Sequence, residues 1–379
     1  MKVAIVHEWL DTYAGSERVL EQLLKLWPQA DLFAVCDFLP DNERAFLDGR
    51  TPCTSFIQRL PGARKHFRKY LPLMPVAIEQ FDLSGYDLVL SSNHAVAKGV
   101  LTGPDQLHVS YVHSPMRYAW DLQHQYLRES GNDRGVRGAI TRYMLHRLRI
   151  WDRSSAAGVD VLVANSSYIA ERIRKVWRRE AEVVHPPVDL GSFALEPAKQ
   201  DHFLVASRMV PYKRIELVAE AFRLMPQHRL RIIGDGANMP AVRRAAGDAA
   251  NITFLGRVDQ PTLIREMQQA AACIHAAEED FGIAIVEAQA CGTPMIAFGR
   301  GGARDIIRPP PAAAPTGLLF AEQTPRSLID AVGRFAAMRA AFSPQACRAN
   351  AERFGEALFR TRMQALVARH MERSPCASR

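Results

Sequence analysis

Residues 276–305 read AAEEDFGIAIVEAQACGTPMIAFGRGGARD, and the punctuation of that run decides the fold. An apolar stretch ends there, an acidic loop follows, and a short helix starts near Gly282 and stops at Gly292. A turn, a second apolar stretch and a glycine loop complete it. Two carboxylates, Glu279 and Glu287, stand eight residues apart with Phe281-Gly282 between them. Glu279 falls on the loop after the first strand, and Glu287 falls inside the helix. The helix N-terminus between them offers free N–H groups to an anion.

The same alternation extends in both directions. Strands are predicted at 2–7, 31–36, 86–91, 107–113 and 159–165, with a loop over 8–16 and helical spacing over 17–27. Strands alternating with helices predict a parallel sheet covered on both faces, the α/β class. His185-Pro186-Pro187-Val188-Asp189 interrupts the series, because paired prolines continue neither a helix nor a central strand. The domain boundary is therefore set between residues 1–186 and 187–355. The second series predicts strands at 202–207, 229–234, 252–256, 272–276 and 294–298, with helices near 212–224, 240–245, 261–270 and 282–291. Asp259 caps the third of these helices, with Pro261 in its first turn. The proline-rich 308–315 is a loop, since 317–320 reads as a further strand, and helices at 344–354 and 356–371 follow.

Two similar halves imply a crevice between them, and open parallel sheets bind ligands beyond the carboxyl ends of their strands. Gly15, His113, Ser207-Arg208, Gly234-Asp235-Gly236 and Glu278-Glu279 all fall at such ends. A chain of 379 residues suits two domains. A net charge of +8 and a pI near 9.3 favour an acidic partner: nucleic acid, anionic lipid or a phosphorylated ligand. Six scattered cysteines (Cys36, Cys53, Cys273, Cys291, Cys347, Cys376) form no C-x-x-C pair, so reduced thiols are expected and a zinc site is not. With no apolar run long enough for a membrane span or a signal peptide, a cytoplasmic protein is expected.

Arg208 and Lys213 are five residues apart, with Pro211 fixing the turn between them. Arginine grips phosphate oxygens in a fork, and lysine adds a point charge. Arg214 reads as a surface residue. Gly15, within Tyr13-Ala14-Gly15-Ser16, lies between a strand and a helix, where it either lets backbone N–H groups approach a phosphate or forms a plain tight turn. Gly301-Gly302 divides in the same way between a cradle for a sugar and a flexible turn. The absence of G-x-G-x-x-G after the first strand argues against a dinucleotide enzyme. His113, at a strand end, is either a hydrogen-bonding group for a sugar hydroxyl or a structural histidine; His7, Asn165 and His275 have weaker claims. A nucleotide-sugar, with hydroxyls, diphosphate and ribose in line, has the layout of Glu279, the helix N-terminus and Glu287. Two basic stretches stand apart. Residues 59–80 interleave Arg64, Lys65, Arg68 and Lys69 with apolar side chains, and 134–153 carry six arginines with one aspartate. Each either lies on an anionic membrane or packs on the core with a solvated basic face. No recognised nucleic-acid module accompanies them.

EEDFGIAIVEAQACGTP (278–294) resembles the E-x7-E signature of retaining glycosyltransferase family 4, and SRMVPYKRIELVAEAF (207–222) is similar to that family's phosphate-binding strand–turn–helix. VHEWLDTYAGSERVLE, SSNHAVAKGV and YVHSPMRYAWD resemble a narrower branch, bacterial mannosyltransferases of O-antigen and exopolysaccharide assembly. The resemblance implies the GT-B fold, two Rossmann-like parallel-sheet domains facing each other across a cleft, with helix 356–371 packing back on the first. It implies that Glu279 holds hydroxyls of the donor sugar and Glu287 the ribose. Arg208 and Lys213 would bind the diphosphate, and His113 would sit beside the reacting sugar. Gly15, Gly234, Asp280, Phe281, Gly282 and Ile283 would line the donor. Two positions depart from the family pattern: Ala14-Gly15 stands where a Gly-Gly pair is common, and Glu279-Asp280-Phe281-Gly282 stands for E-G-F-G. The activity implied is retaining transfer of a hexose, mannose from GDP-mannose, to a polyprenyl-diphosphate-linked saccharide at the inner membrane face, with neither metal nor cofactor and no nucleic-acid partner. A UDP-sugar donor, an epimerase or phosphorylase on the same fold, and a binding protein without turnover are the competing readings.

Overall fold

Every residue of β1 (Val3–His7) is buried, as a strand covered on both faces requires. The computed structural model describes residues 1–372; Cys376 lies outside them, and the five cysteines within them are free thiols. The strands that follow are β2 (Asp31–Ala34), β3 (Cys53–Thr54), β4 (Leu88–Asn93), β5 (Leu107–Val112), β6 (Val161–Ala164) and β7 (Glu182–Val183). They form one seven-stranded sheet in the order β3-β2-β1-β4-β5-β6-β7, parallel at every pairing. A second sheet takes β8 (His202–Ala206), β9 (Arg229–Ile233), β10 (Ile252–Gly256), β11 (Ala272–His275), β12 (Met295–Phe298) and β13 (Gly317–Phe320). Its order is β10-β9-β8-β11-β12-β13, again all parallel.

The chain divides into two compact units, Met1–Pro187 with the chain from Ala357 onward, and Val188–Glu356. Helix Glu356–Met371 explains the discontinuity. It buries Phe359, Met363, Leu366 and Val367 among β-strand residues of the first unit, with the Phe359 ring 5.8 Å from that of Tyr111. Four such side chains contribute on the order of 6–12 kcal/mol by area before ordering entropy is charged against them. Arg369 and His370 on the same helix bond the carboxylate of Glu182 in β7.

In each sheet the winding direction reverses once. From β1 the chain adds β2 and β3 on one side, then crosses to β4 on the other; from β8 it adds β9 and β10, then crosses to β11. The loops after β1 and β4, and after β8 and β11, therefore flank the switch points where such sheets hold ligands.

Several predicted elements shift. The strand expected at 86–91 is Leu88–Asn93, and the one expected to include His113 ends at Val112. The helix expected over 212–224 is broken: a 3-10 turn, Pro211–Lys213, precedes helix Ile215–Arg223, and Arg214 between them is left-handed at φ 56°. Asp259 caps helix Gln260–Gln269 through its carboxylate, which accepts from Thr262 N–H at 3.0 Å. Residues 59–80 form no continuous helix but short turns, Ala63–His66, Phe67–Leu73 and Met74–Glu79, whose Phe67, Met74, Ala77 and Ile78 lie in the core. The second basic stretch is one helix, Gly135–Ala156.

Candidate functional site

In the second unit β8 ends at Ala206, and Ser207 N–H still bonds Ile233 O, so the chain leaves the sheet at Arg208. Arg208 is exposed, and its guanidinium makes no hydrogen bond or ion pair among the described residues. Pro211 opens the turn that carries Lys213, whose Nζ lies against Glu279 Oε1. Glu279 sits on the loop after β11, so a cation from one switch-point loop and a carboxylate from the other already touch. His275, the last residue of β11, places Nε2 3.5 Å from Glu279 Oε2. Its weak claim on sequence grounds becomes a position at the centre of the group.

The loop is held from behind. Gly302 N–H bonds Glu279 O at 2.9 Å, and Glu279 bridges Gly301. A Cβ at Gly301 would strike the Glu279 carbonyl and one at Gly302 the Phe281 backbone. Here the glycine pair serves close backbone packing under the loop. Phe281 is buried against the Phe354 ring at 5.5 Å, so only its backbone is available to a ligand. Gly282, at φ 102°, is the N-cap of helix Ile283–Ala290 and has no side chain to offer the first N–H groups. Asp280 and Glu287 are half-buried, the latter just over one turn into the helix. Ile283 packs against the core of this unit. Gln289, on the same helix, is buried and bonds Thr316 Oγ1 and Asn350 Nδ2, which fixes the helix from the far side. Gly234 follows β9 and packs on the Ser207 carbonyl.

In the first unit Gly15 is the first residue of helix Gly15–Leu26. The Ala14 N–H is taken by Glu17 Oε2 at 2.9 Å, and Glu17 Oε1 also meets His7 Nε2 at 3.2 Å. Burial raises the Glu17 carboxyl, but the His7 bond and charge and the backbone N–H groups outweigh it and hold it at about 2. His113 follows β5; its Nε2 is 2.9 Å from Ser92 Oγ, and its carbonyl accepts from Asn165 Nδ2. Its ring lies 6.5 Å from that of His94. Glu8, unremarked in the sequence, is fully buried, and its carboxylate accepts from the N–H groups of His94, Ala95, Val96 and Ala97 at 2.7–3.0 Å. It moulds the loop after β4. Arg64, Lys65 and Lys69 are exposed; Arg68 pairs with Asp11 at 2.6 Å and covers the Phe67 ring.

Burial pushes His275 down to about 3, with Lys213 adding to the effect. Burial, then His94 and His7, lower His113 to about 3 as well. Both rings are neutral hydrogen-bonding groups at pH 7. The unfolded chain binds their protons first, from 6.5 downward, so stability is lost as pH falls from about 6.5 toward 3. Urea unfolding at pH 5 should show about 2 kcal/mol less stability per ring than at pH 7. His275→Gln should flatten that limb in the second unit; an unchanged limb would contradict the assignment.

A family model described as glycosyl transferases group 1 matches residues 200–337, and one described as glycosyltransferase family 4 matches residues 13–192. The chain is 30% identical over 201 residues to a D-inositol 3-phosphate glycosyltransferase of Jonesia denitrificans, covering 44% of this chain and 46% of that protein. It is 29% identical over 188 residues to a GDP-mannose-dependent monoacylated alpha-(1-6)-phosphatidylinositol monomannoside mannosyltransferase of Corynebacterium glutamicum, covering 41% and 49%. The chain thus spans about half the length of the curated relatives it matches. Sucrose-phosphate synthase from Thermosynechococcus elongatus superposes with a TM-score of 0.71 at 18% identity over 99% of this chain and 100% of that one, a likeness of fold.

Proposed function

Since the chain belongs to glycosyltransferase family 4, with the GT-B pair of parallel-sheet units, we propose that it transfers a hexose from a nucleotide-sugar with retention of configuration. The contact between Lys213 and Glu279 carries the reading. A ligand whose diphosphate reaches Lys213 and the unpaired Arg208 has its next group, the sugar, beside Glu279. The helix from Ile283 turns its N-terminal N–H groups toward the same charge, and Glu287 receives the ribose. In the transfer the bond from the anomeric carbon to the phosphate oxygen breaks, and the acceptor hydroxyl oxygen bonds that carbon on the same face. The acceptor proton passes to the departing phosphate. Arg208, Lys213 and the helix N–H groups stabilise the charge that develops, which is electrostatic catalysis by groups already in position. They supply that charge without a metal or cofactor. Glu279 and Glu287 hold hydroxyls and are not an acid/base pair flanking a bond.

The donor is GDP-mannose and the acceptor a polyprenyl-diphosphate-linked saccharide of O-antigen or exopolysaccharide synthesis, with the enzyme peripheral on the inner face of the cell membrane. The GDP-mannose-dependent relative supports the donor. No helix among the described residues is long and apolar enough to cross a membrane.

Thermal-shift titration with GDP-mannose, UDP-glucose and UDP-N-acetylglucosamine tests this. At about a hundredfold excess over Kd the preferred donor should stabilise the fold by about 2.7 kcal/mol. Glu287→Ala should weaken that donor by roughly 10–100-fold, the range of a lost hydrogen bond to a charged group. A shift with UDP-sugars alone would replace the donor, and no shift with any of them would remove the transferase reading.

A further inference from the structure

Helix Gly135–Ala156 is apolar on two opposite faces. At 100° per residue, Gly138, Leu145, Leu148, Asp152 and Ala156 fall on one side and are buried. Val136, Ile140, Tyr143 and Ile150 fall on the other, with Met144 at its edge, and are 77%, 51%, 64%, 54% and 42% exposed. Single exposed apolar side chains need no explanation, but a stripe over four turns of one helix does. A helix on the surface of a globular unit needs only the inner stripe. Arg147 lies within the outer stripe, and Arg137 and Arg153 lie to either side. None of the three guanidinium groups makes a hydrogen bond or ion pair among the described residues. The helix's one acid, Asp152, is buried against Lys98 on the inner side, so it neutralises none of them.

We propose that this outer stripe docks on an anionic lipid bilayer, with the apolar side chains at the acyl boundary and Arg137, Arg147 and Arg153 on lipid phosphates. The helix is about 33 Å long, enough to lie in the interface plane. Unpaired arginines beside aliphatic side chains match a surface that offers phosphate and hydrocarbon together. A nucleic acid leaves the aliphatic stripe without a contact. A second copy of this chain brings the arginines against each other. Residues 59–80 are a poorer candidate, because their Phe67, Met74 and Ile78 are in the core and Arg68 is paired with Asp11. The proposal rests on the transferase reading only for its use, holding the enzyme where a lipid-linked acceptor resides.

Flotation with phosphatidylethanolamine–phosphatidylglycerol vesicles, against phosphatidylcholine alone, tests it. The wild-type protein should float with the anionic vesicles only. Ile140→Ser/Tyr143→Ser/Ile150→Ser and Arg137→Gln/Arg147→Gln/Arg153→Gln should each reduce binding by at least about tenfold. Arg64→Gln/Lys65→Gln/Arg68→Gln/Lys69→Gln should stay within about twofold of wild type. Melting and the donor-induced thermal shift of the two helix variants, read on the same samples, should be unchanged, because their substituted side chains face away from the core. A wild-type protein that fails to float, a serine variant that floats like wild type, or a dimer abolished by the serine variant without vesicle binding would each overturn the docking face. The donor shift reports on the transferase reading separately.

Discussion

Lys213→Ala is expected to lower turnover by about 10²–10³-fold, the effect of removing one preorganised charge from a developing anion. The side chain is 15% exposed and lies against Glu279, which is 18% exposed. Such a half-buried pair contributes about 1–2 kcal/mol to stability, so Tm should fall by only a few degrees. The disproportion between the two losses is the informative result. A merely structural pair would show the reverse, a lowered Tm with near-normal turnover in the surviving fraction. Lys213→Arg should recover part of the activity, since it restores charge but not shape. Turnover near wild type in Lys213→Ala would remove the core of the mechanism.

Lys98→Met should destabilise the first unit by about 3–5 kcal/mol, because it leaves a buried carboxylate without its cation. Lys98 and Asp152 are both 0% exposed, with Nζ 2.6 Å from Oδ1. The ammonium lies over the Trp151 and Trp177 rings at 4.9 and 4.8 Å, and Asp152 Oδ2 accepts from the indole N–H groups of Trp120 and Trp177 at 2.8 Å each. Urea unfolding of Lys98→Met, Asp152→Asn and the double variant Lys98→Met/Asp152→Leu separates the terms. The double variant should recover part of the loss but not all, since two indole N–H groups lose their acceptor. A cost below about 1 kcal/mol in Lys98→Met would mean that Asp152 is not held as a buried charge. The same residues anchor the inner face of helix Gly135–Ala156, so the variant should also weaken vesicle binding.

Lys98 and Asp152 also mark where the sequence stops being legible. Asp152 reads as one acid in a basic amphipathic stretch, and nothing within a helical window says that it meets a lysine 54 residues away. Glu8 is similar: its four N–H partners lie 86–89 residues on. By contrast the places of Arg208, Lys213, Glu279 and Glu287 on loop, turn and helix were legible because strand, turn and helix start are local patterns. Within that site the packing was not legible. The Phe281 side chain is core with its backbone open to a ligand, Gly301-Gly302, open between a cradle and a flexible turn, packs under the Glu279 loop, and His275, with a weaker claim, lies beside Glu279. The two-residue strands β3 and β7 are too short to show a period. The break at Arg214 is a left-handed residue in a sequence with helical spacing on both sides.

Helix Glu356–Met371 has a consequence for synthesis. The second unit is one continuous segment, whereas the first begins at residue 1 and is closed by residues that follow the second. On a ribosome adding about 5–20 residues per second, the first unit waits roughly 10–35 s with the surface for Phe359, Met363, Leu366 and Val367 uncovered. The later-encoded unit can therefore complete its core first. A nascent chain stopped at residue 356 would carry a finished second unit tethered to an unfinished first one, a species prone to aggregation and a natural client for a chaperone.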